Sequence, residues 1–226
     1  MVERHFQQEL EALEVTVMKM FSLTERSLDK AIRSLKNRDA DMAQEVIDED
    51  KQLNAMEVDI EERTLNILAL WQPVARDLRF VTACSRVANE LERIGDQSTN
   101  IAERVLLLSQ KPRLDLMNGV ESLADNALAM YRKVTNAYTK LDCGQAIEVC
   151  KMDSEIDSLT IKIMRKTLDF MVNESVIIER AVHAIIIANS LERVADLSTN
   201  IGEDIVFIAR GINVKHSDNF DSLCLD

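Results

Sequence analysis

Two near-identical segments, one in each half of the chain, restrict the possible folds more than any other feature of the sequence. The segment ANELERIGDQSTNIAE begins at Ala88, and the segment ANSLERVADLSTNIGE begins at Ala188. They agree at 11 of 16 positions at an offset of 100 residues. Their shared charged and amide residues are Glu92, Arg93, Asp96, Asn100 and Glu103, matched by Glu192, Arg193, Asp196, Asn200 and Glu203. Polar residues on a solvated helix face are free to drift, so their retention in both halves predicts that they have a use.

The rest of the chain has the composition and spacing of helices. Only five Gly and two Pro occur among 226 residues, and residue types that favour helices dominate. Apolar residues recur every three or four positions, as in an amphipathic helix that packs in a bundle. The clearest run, which we call the first apolar seam, is Cys84, Val87, Leu91, Ile94, Ser98, Ile101 and Val105. The chain is therefore predicted to be all-α.

The helices are expected to form two tandem three-helix bundles, six helices in all, related by the internal repeat. The predicted first bundle comprises residues 1–111, with helices over about 6–35, from the Asp39 cap to the WQP segment, and over about 73–110. The second comprises residues 112–226, and its last helix covers about 174–210. Asp39 is a suitable N-cap for the second helix, and Asp142 repeats it at an offset of 103. Pro112 ends the first half, because proline cannot continue a helix.

Charge and composition argue against several functions. The formal net charge is −12, from 39 acidic and 27 basic residues, and Lys and Arg form no cluster. A nucleic-acid-binding surface requires such a cluster, so nucleic acid is not an expected partner. No apolar run approaches the roughly 20 residues that a membrane-spanning helix needs, and the N-terminus lacks an export signal. We therefore expect a cytoplasmic protein without direct membrane insertion, with its four cysteines as reduced thiols.

Acidic residues form stripes on two helices of each half. At about 100° per residue, Glu92 and Asp96 share one helix face that lies away from the first apolar seam. The stripes are Glu92, Asp96, Thr99 and Glu103 with Asp50, Asn54, Glu57 and Glu61 in the first half, and Glu192, Asp196, Thr199 and Glu203 with Asp153 and Asp157 in the second. Like charges at this spacing repel by about 0.2–0.5 kcal/mol per pair. A cation bound between two facing stripes would relieve that repulsion.

The chemistry of the stripes narrows the kind of cation and leaves two alternatives open. Oxygen ligands suit Mg²⁺, Mn²⁺, Ca²⁺ or iron, and the stripes contain no thiol or imidazole that would favour zinc. The chain has no Glu-x-x-His step, nucleophile elbow or Gly-rich phosphate loop, so catalysis is not indicated. One alternative is a carboxylate-metal bundle with a storage function or a redox enzyme activity. The other is a scaffold without partners, whose acidic faces are simply solvated.

Motifs distributed along nearly the whole chain resemble the PhoU family. They are LERIGD at 91–96, LERVAD at 191–196, QPVARDLR at 72–79, and the Asp-x-x-x-Asn and Asp-x-x-x-Asp steps that begin at Asp50 and Asp153. The resemblance implies a non-enzymatic accessory protein of phosphate uptake and a negative regulator of the phosphate-starvation response. It also implies a homodimer that serves as an adaptor between the ATPase subunit of the phosphate ABC transporter and the phosphate sensor histidine kinase. Those partners would hold it at the inner face of the membrane.

The resemblance further implies which residues form the sites. PhoU proteins bind metal ions through Glu-x-x-x-Asp and Asp-x-x-x-Asp motifs. The metal ligands carried over by position are Glu92, Asp96, Asp50 and Asn54 in the first half, and Glu192, Asp196, Asp153 and Asp157 in the second. Mg, Mn or Fe is the expected metal, and Asn54 departs from the all-acid pattern, which is expected to weaken the first site. Arg76, Asp77 and Arg79 are the predicted partner-binding residues, and their motif has no close copy in the second half.

Overall fold

The computed structural model of the chain describes residues 2–214, and within that range it contains helices and no strand. The first half consists of α1 (Val2–Asn37), α2 (Ala40–Glu49), α3 (Lys51–Trp71) and α4 (Ala75–Ser109). The second half consists of α5 (Met117–Lys140), α6 (Cys143–Asn173), a short 3-10 helix (Ser175–Ile177) and α7 (Ile178–Arg210). The predicted all-α class with two tandem bundles is confirmed.

The predicted second helix is divided into α2 and α3 at a single residue, Asp50. The backbone of Asp50 keeps right-handed helical angles, with φ −53° and ψ −37°, so α2 and α3 are two segments of one helical column. Each half therefore contributes three columns to the six that were predicted. The interruption places the side chain of Asp50, one of the predicted metal ligands, at the junction of the two segments.

The aspartates expected to start two helices do so in the same way. The Asp39 carboxylate accepts a hydrogen bond from the Met42 backbone N–H at 2.9 Å, and the Asp142 carboxylate accepts one from Gln145 at 3.1 Å. The predicted starts of the third and last helices are two to four residues too early. Pro73 precedes an extended residue, Val74, before α4 begins, and Glu174 is likewise too extended to continue or start a helix. Both halves nevertheless pack the same kind of column against their longest helix.

The two bundles meet along α4 and α7, which lie antiparallel at the centre of the molecule. Near the start of α4, the Arg86 guanidinium contacts the Asp204 carboxylate near the end of α7 at 2.8 Å. At the other end, Lys111, which follows α4, pairs with Glu179 at the beginning of α7. Helices α1, α2 and α3 pack on α4, and helices α5 and α6 pack on α7. The acidic motifs of both halves therefore lie on the two central helices.

The first apolar seam is buried as predicted, and small residues beside the acidic motifs allow close packing. Leu91, Ile94 and Ser98 have no exposed surface. A Cβ added to Gly95 would lie 2.4 Å from Leu53 of α3, and one added to Gly202 would lie 3.1 Å from the backbone oxygen of Ala146 in α6. Because these glycines admit their neighbours closely, the acidic faces of the central helices lie beside those of α3 and α6.

None of the described helices combines the length and the apolarity that crossing a membrane requires.

Candidate metal centre

Three carboxylates of the second half converge on one point. Asp153 and Asp157 lie one turn apart on α6, and Asp196 lies on α7. One carboxylate oxygen from each lies within 4.8 Å of the others. In the part of the chain covered by the structure, this is the one group of three or more His, Cys, Asp or Glu side chains that meets that distance. Together with Glu192, one turn before Asp196, we call these residues the second-half cluster.

Buried oxygens in and beside the second-half cluster lack hydrogen-bond partners. The Oδ1 atom of Asp153 and the Oγ1 atom of Thr199, which follows Asp196 on α7, are both buried and unpaired. The Oγ1 atom of Thr160, two turns after Asp153 on α6, is also unpaired. A buried polar atom without a partner costs about 1–3 kcal/mol. An ion coordinated by the Asp153 oxygen would remove that cost.

The electrostatics of the second-half cluster favour a positive ligand. Burial, followed by the charges of Asp157, Asp196 and Glu192, raises the pKa of Asp153 to about 6. Burial and the charges of Asp196 and Asp157 also raise the pKa of Glu192. Burial raises the pKa of Asp196 even though the Arg193 guanidinium donates a hydrogen bond to it at 3.3 Å. The negative charges that contribute to these pKa shifts would also attract a cation.

The first half brings together an equivalent set, Asp50, Glu57, Glu92 and Asp96, which we call the first-half cluster. Burial raises the pKa of Glu92 to about 7, with further contributions from the charges of Asp96, Glu57 and Asp50. Burial and the charges of Asp50 and Glu57 raise the pKa of Asp96 as well. Four carboxylates from the α2–α3 column and α4 are therefore close enough for their charges to act on one another, as in the second half.

Protein donors already satisfy part of the first-half cluster. The Thr99 hydroxyl donates to Asp50 Oδ1 at 3.1 Å, and the Asn54 amide donates to Asp50 Oδ2 at 3.4 Å. The Asn89 amide donates to Glu57 Oε1 at 3.1 Å. Both oxygens of Asp50 thus have neutral partners, whereas Asp153, its counterpart at an offset of 103, has an oxygen without one.

The donor chemistry of both clusters fits a hard metal ion. Every converging ligand is a carboxylate or hydroxyl oxygen, the set that Mg²⁺, Mn²⁺ and iron accept. Cys150 lies one turn before Asp153, but burial raises the pKa of its thiol to about 12. The thiol therefore stays protonated near neutral pH and is a poor ligand. These observations agree with an oxygen-only site.

The structure adds residues that were not among the predicted ligands. Glu57 lies on the predicted stripe, and its charge acts on both Glu92 and Asp96. Thr99 and Thr199 occupy the third position after Asp96 and Asp196, where they face Asp50 or remain unpaired. The sequence placed both threonines on the stripes but not among the ligands. Stripe geometry alone did not indicate which oxygens would act as donors.

The predicted partner-binding residues lie at the start of α4. Arg76 and Asp77 are exposed. The Arg79 side chain instead packs on the end of α7, where its Nε atom approaches the Ile208 backbone oxygen at 3.4 Å. A Cβ added to Gly211, just after α7, would lie 3.3 Å from the Arg79 guanidinium carbon. Arg79 therefore contributes to the contact between the bundles, and the partner role of the three residues stays a prediction.

Comparison with known proteins finds a family that covers both halves. The family model for the PhoU domain matches residues 17–105 and 120–205, so each match contains one acidic motif of α4 or α7. The chain is 34% identical over 224 residues to the phosphate-specific transport system accessory protein PhoU of Escherichia coli (strain K12), across 98% of this chain and 93% of that protein. It is 32% identical over 212 residues to the phosphate-specific transport system accessory protein PhoU homolog 1 of Thermotoga maritima, across 93% and 91% of the two chains.

Solved structures give the same result. The crystal structure of PhoU from Pseudomonas aeruginosa matches with a TM-score of 0.88 and 30% identity, over 92% of this chain and 100% of that one. The phosphate transport system regulatory protein PhoU from Streptococcus pneumoniae matches with a TM-score of 0.86 and 28% identity, over 92% and 99% of the two chains. Sequence and backbone therefore agree over nearly the full length.

Proposed function

The chain belongs to the PhoU family, and from this membership we propose that it is an accessory protein of phosphate transport that restrains the phosphate-starvation response. The observation that carries the proposal is the match of both repeats, over nearly the whole chain, to proteins named as accessory or regulatory proteins of phosphate transport. Those names describe no catalysis, and the clusters described above offer ligands rather than an activated nucleophile. The proposed role is therefore regulatory and not enzymatic.

Metal binding is the chemical part of the proposal. The second-half cluster would hold a hard metal ion, such as Mg²⁺, Mn²⁺ or iron, through Asp153, Asp157 and Asp196, with Glu192 beside them. The first-half cluster would hold a second ion through Glu92 and Asp96, with Asp50 and Glu57. The support is the convergence of carboxylates from two helices and the unpaired Asp153 oxygen. Bound metal would fix the α2–α3 column on α4 and α6 on α7.

The protein is proposed to act as a cytoplasmic adaptor. Its partners would be the ATPase subunit of the phosphate ABC transporter and the phosphate sensor histidine kinase, which would bring it to the inner face of the membrane as a homodimer. The exposed Arg76 and Asp77 at the start of α4 are candidate contact residues.

The regulatory role is tested with a deletion strain grown in ample phosphate. Loss of the protein should switch on a reporter of the phosphate-starvation response, and the wild-type gene should restore repression. A gene carrying Glu192→Gln and Asp196→Asn should restore repression poorly if metal serves regulation. Full repression of the reporter in the deletion strain would contradict the regulatory proposal. Full rescue by the double variant would show that regulation does not require the metal ligands Glu192 and Asp196.

The adaptor role is tested by co-purification. Tagged protein should retain the transporter ATPase and the sensor kinase from a membrane extract, and Arg76→Glu should reduce recovery of at least one of them. Replacing the exposed Arg165 by Glu on α6, far from the start of α4 along the chain, gives a control with the same change of charge. Recovery of neither partner by the wild-type protein would contradict the adaptor assignment. Oxygen-dependent metal oxidation with turnover would instead favour the storage or redox alternative.

A further inference from the structure

We propose that the two metal clusters are unequal and that the residue pair Asn54 and Asp157 sets the difference, so that the second-half cluster binds divalent cations more tightly. The inference rests on the proposed function, because it concerns the affinity of the same clusters. In this inference, the Asn54 amide partly replaces a cation by donating a hydrogen bond to Asp50. Asp157 is a metal ligand whose negative charge makes its site dependent on a bound cation.

The two residues occupy equivalent positions in the repeat. An offset of 103 residues relates Asp50 to Asp153 and also relates Asn54 to Asp157. Asn54 donates its amide hydrogen to Asp50 Oδ2, which a carboxylate at that position cannot do. Asp157 instead brings a second negative charge within 4.8 Å of Asp153 and Asp196. Asp157 therefore offers Asp153 a negative charge at the position where Asn54 offers Asp50 a hydrogen-bond donor.

The threonines that the repeat shares, Thr99 and Thr199, also differ in their hydrogen bonding. Thr99 donates to Asp50 Oδ1 at 3.1 Å, so each Asp50 oxygen has a donor. Its counterpart Thr199 makes no hydrogen bond through its buried Oγ1 atom, and Asp153 Oδ1 is likewise unpaired. A cation entering the first-half cluster must compete with two neutral donors on Asp50. A cation entering the second-half cluster finds oxygens without partners and displaces no donor from Asp153 Oδ1.

The number of charges does not explain the proposed difference. Each cluster has four carboxylates, since Glu57 adds one in the first half where Thr160 stands in the second. The Asn89 amide, however, donates to Glu57 and helps to hold it. Geometry points the same way, because three carboxylate oxygens within 4.8 Å of one another occur in the second half. The affinity for a cation is therefore set by whether the carboxylate oxygens already have hydrogen-bond donors, in addition to the number of carboxylates.

The test is calorimetric titration of the full chain, stripped of metal, with Mn²⁺ alone. The wild-type protein should show two classes of site. Asp157→Asn should weaken the tighter class by about tenfold or more, which is the scale on which altered coordination shells act. Asn54→Asp should tighten the weaker class by about tenfold, because it removes a donor and adds a ligand. Asp169→Asn, which removes the same charge from an exposed position on α6, should change neither class.

The outcomes separate this inference from the proposed function. If the wild-type protein binds Mn²⁺ but Asp157→Asn and Asn54→Asp leave both classes unchanged, the inference is wrong and metal binding survives. A single class of equivalent Mn²⁺ sites in the wild-type protein would also show that the inference is wrong while metal binding survives. If the wild-type protein binds no Mn²⁺, both the inference and the metal part of the proposed function fail. Should Asp157→Asn lose its helical circular dichroism, the Asn54→Asp titration decides alone, because Asn54 is exposed and its replacement disturbs no core contact.

Discussion

Replacing Asp153 by Asn should stabilise the metal-free protein while weakening its response to metal. Asn has nearly the same size and shape as Asp, so the packing of α6 on α7 is kept. The change removes one negative charge from a group that already contains Asp157, Asp196 and Glu192. It also removes a buried anionic oxygen that has no hydrogen-bond partner. A residue kept for structure alone would show the opposite sign, because removing it would destabilise the fold.

The size of the gain follows from the pKa of the Asp153 carboxylate. Burial and the neighbouring charges of Asp157 and Asp196 raise that pKa from 3.8 to about 6. At about 1.4 kcal/mol per pH unit, ionising Asp153 lowers the free energy of unfolding by at most about 3 kcal/mol. Solvent screening at this partly exposed position reduces the expected gain for Asp153→Asn to about 1–2 kcal/mol.

The sign of the pH dependence is fixed by the direction of the shift. The folded chain holds the Asp153 proton more tightly than the unfolded chain does, because the pKa is raised on folding. Ionisation therefore destabilises the fold fully above a pH of about 6, and the penalty disappears as the pH falls to about 4. The advantage of Asp153→Asn should be greatest near neutral pH and should vanish in mild acid.

Urea unfolding followed by circular dichroism measures the effect, first with a chelator and then with Mn²⁺. The wild-type protein should gain stability with metal, by about 2.7 kcal/mol when free Mn²⁺ is 100 times the dissociation constant. The variant should gain less, so the order of stability should reverse. Asp169→Asn on the exposed face of α6 should follow the wild-type protein in every condition. A variant less stable than the wild-type protein in chelator near neutral pH, or a pH-independent difference, would refute the reasoning.

Three further predictions concern the packing of the helices. Arg86→Ala should lower the free energy of unfolding by about 1 kcal/mol, because it removes one charge partner, itself partly exposed, of the buried Asp204; an unchanged or higher stability in urea unfolding would contradict this. Gly202→Ala should destabilise by about 1 kcal/mol net, as overpacking against the α6 backbone exceeds the gain in helix propensity, and should weaken Mn²⁺ binding in the same titration. Cys84 and Cys150 should resist iodoacetamide in the native protein and react in urea, because burial raises the pKa of both thiols to about 12; mass spectrometry reads the modification, and equal labelling in both states would contradict it.

Sequence reasoning could predict the fold because the relevant signals are local. The three-to-four spacing of Leu91, Ile94 and Ser98 fixes which face of α4 is buried, and the Asp39 and Asp142 caps act within one helical turn. The acidic stripes could be predicted for the same reason. Their convergence depends on how far each helix is rotated and how closely it approaches its neighbour, which Gly95 and Gly202 help to decide.

The hydrogen bonding within the clusters could not be predicted in the same way. The family resemblance makes Asn54 a weak ligand, but its amide is a donor to Asp50, and this depends on side-chain rotation. The break between α2 and α3 at Asp50 carries no proline or glycine signal. The packing of Arg79 against the end of α7 joins residues more than one hundred positions apart, which no local pattern reports.

The antiparallel contact of α4 with α7 has a consequence for the origin of the chain. Two identical half-length chains that met through this helix would form a twofold-symmetric dimer, since each would present the same surface to the other. The contact between Arg86 and Asp204 would then occur twice, yet at an offset of 100 the corresponding residues are Ile186 and Arg104. The contact between α4 and α7 is therefore not strictly symmetric. When the two halves are expressed as separate chains, the first half should bind the second half more tightly than either half binds a second copy of itself.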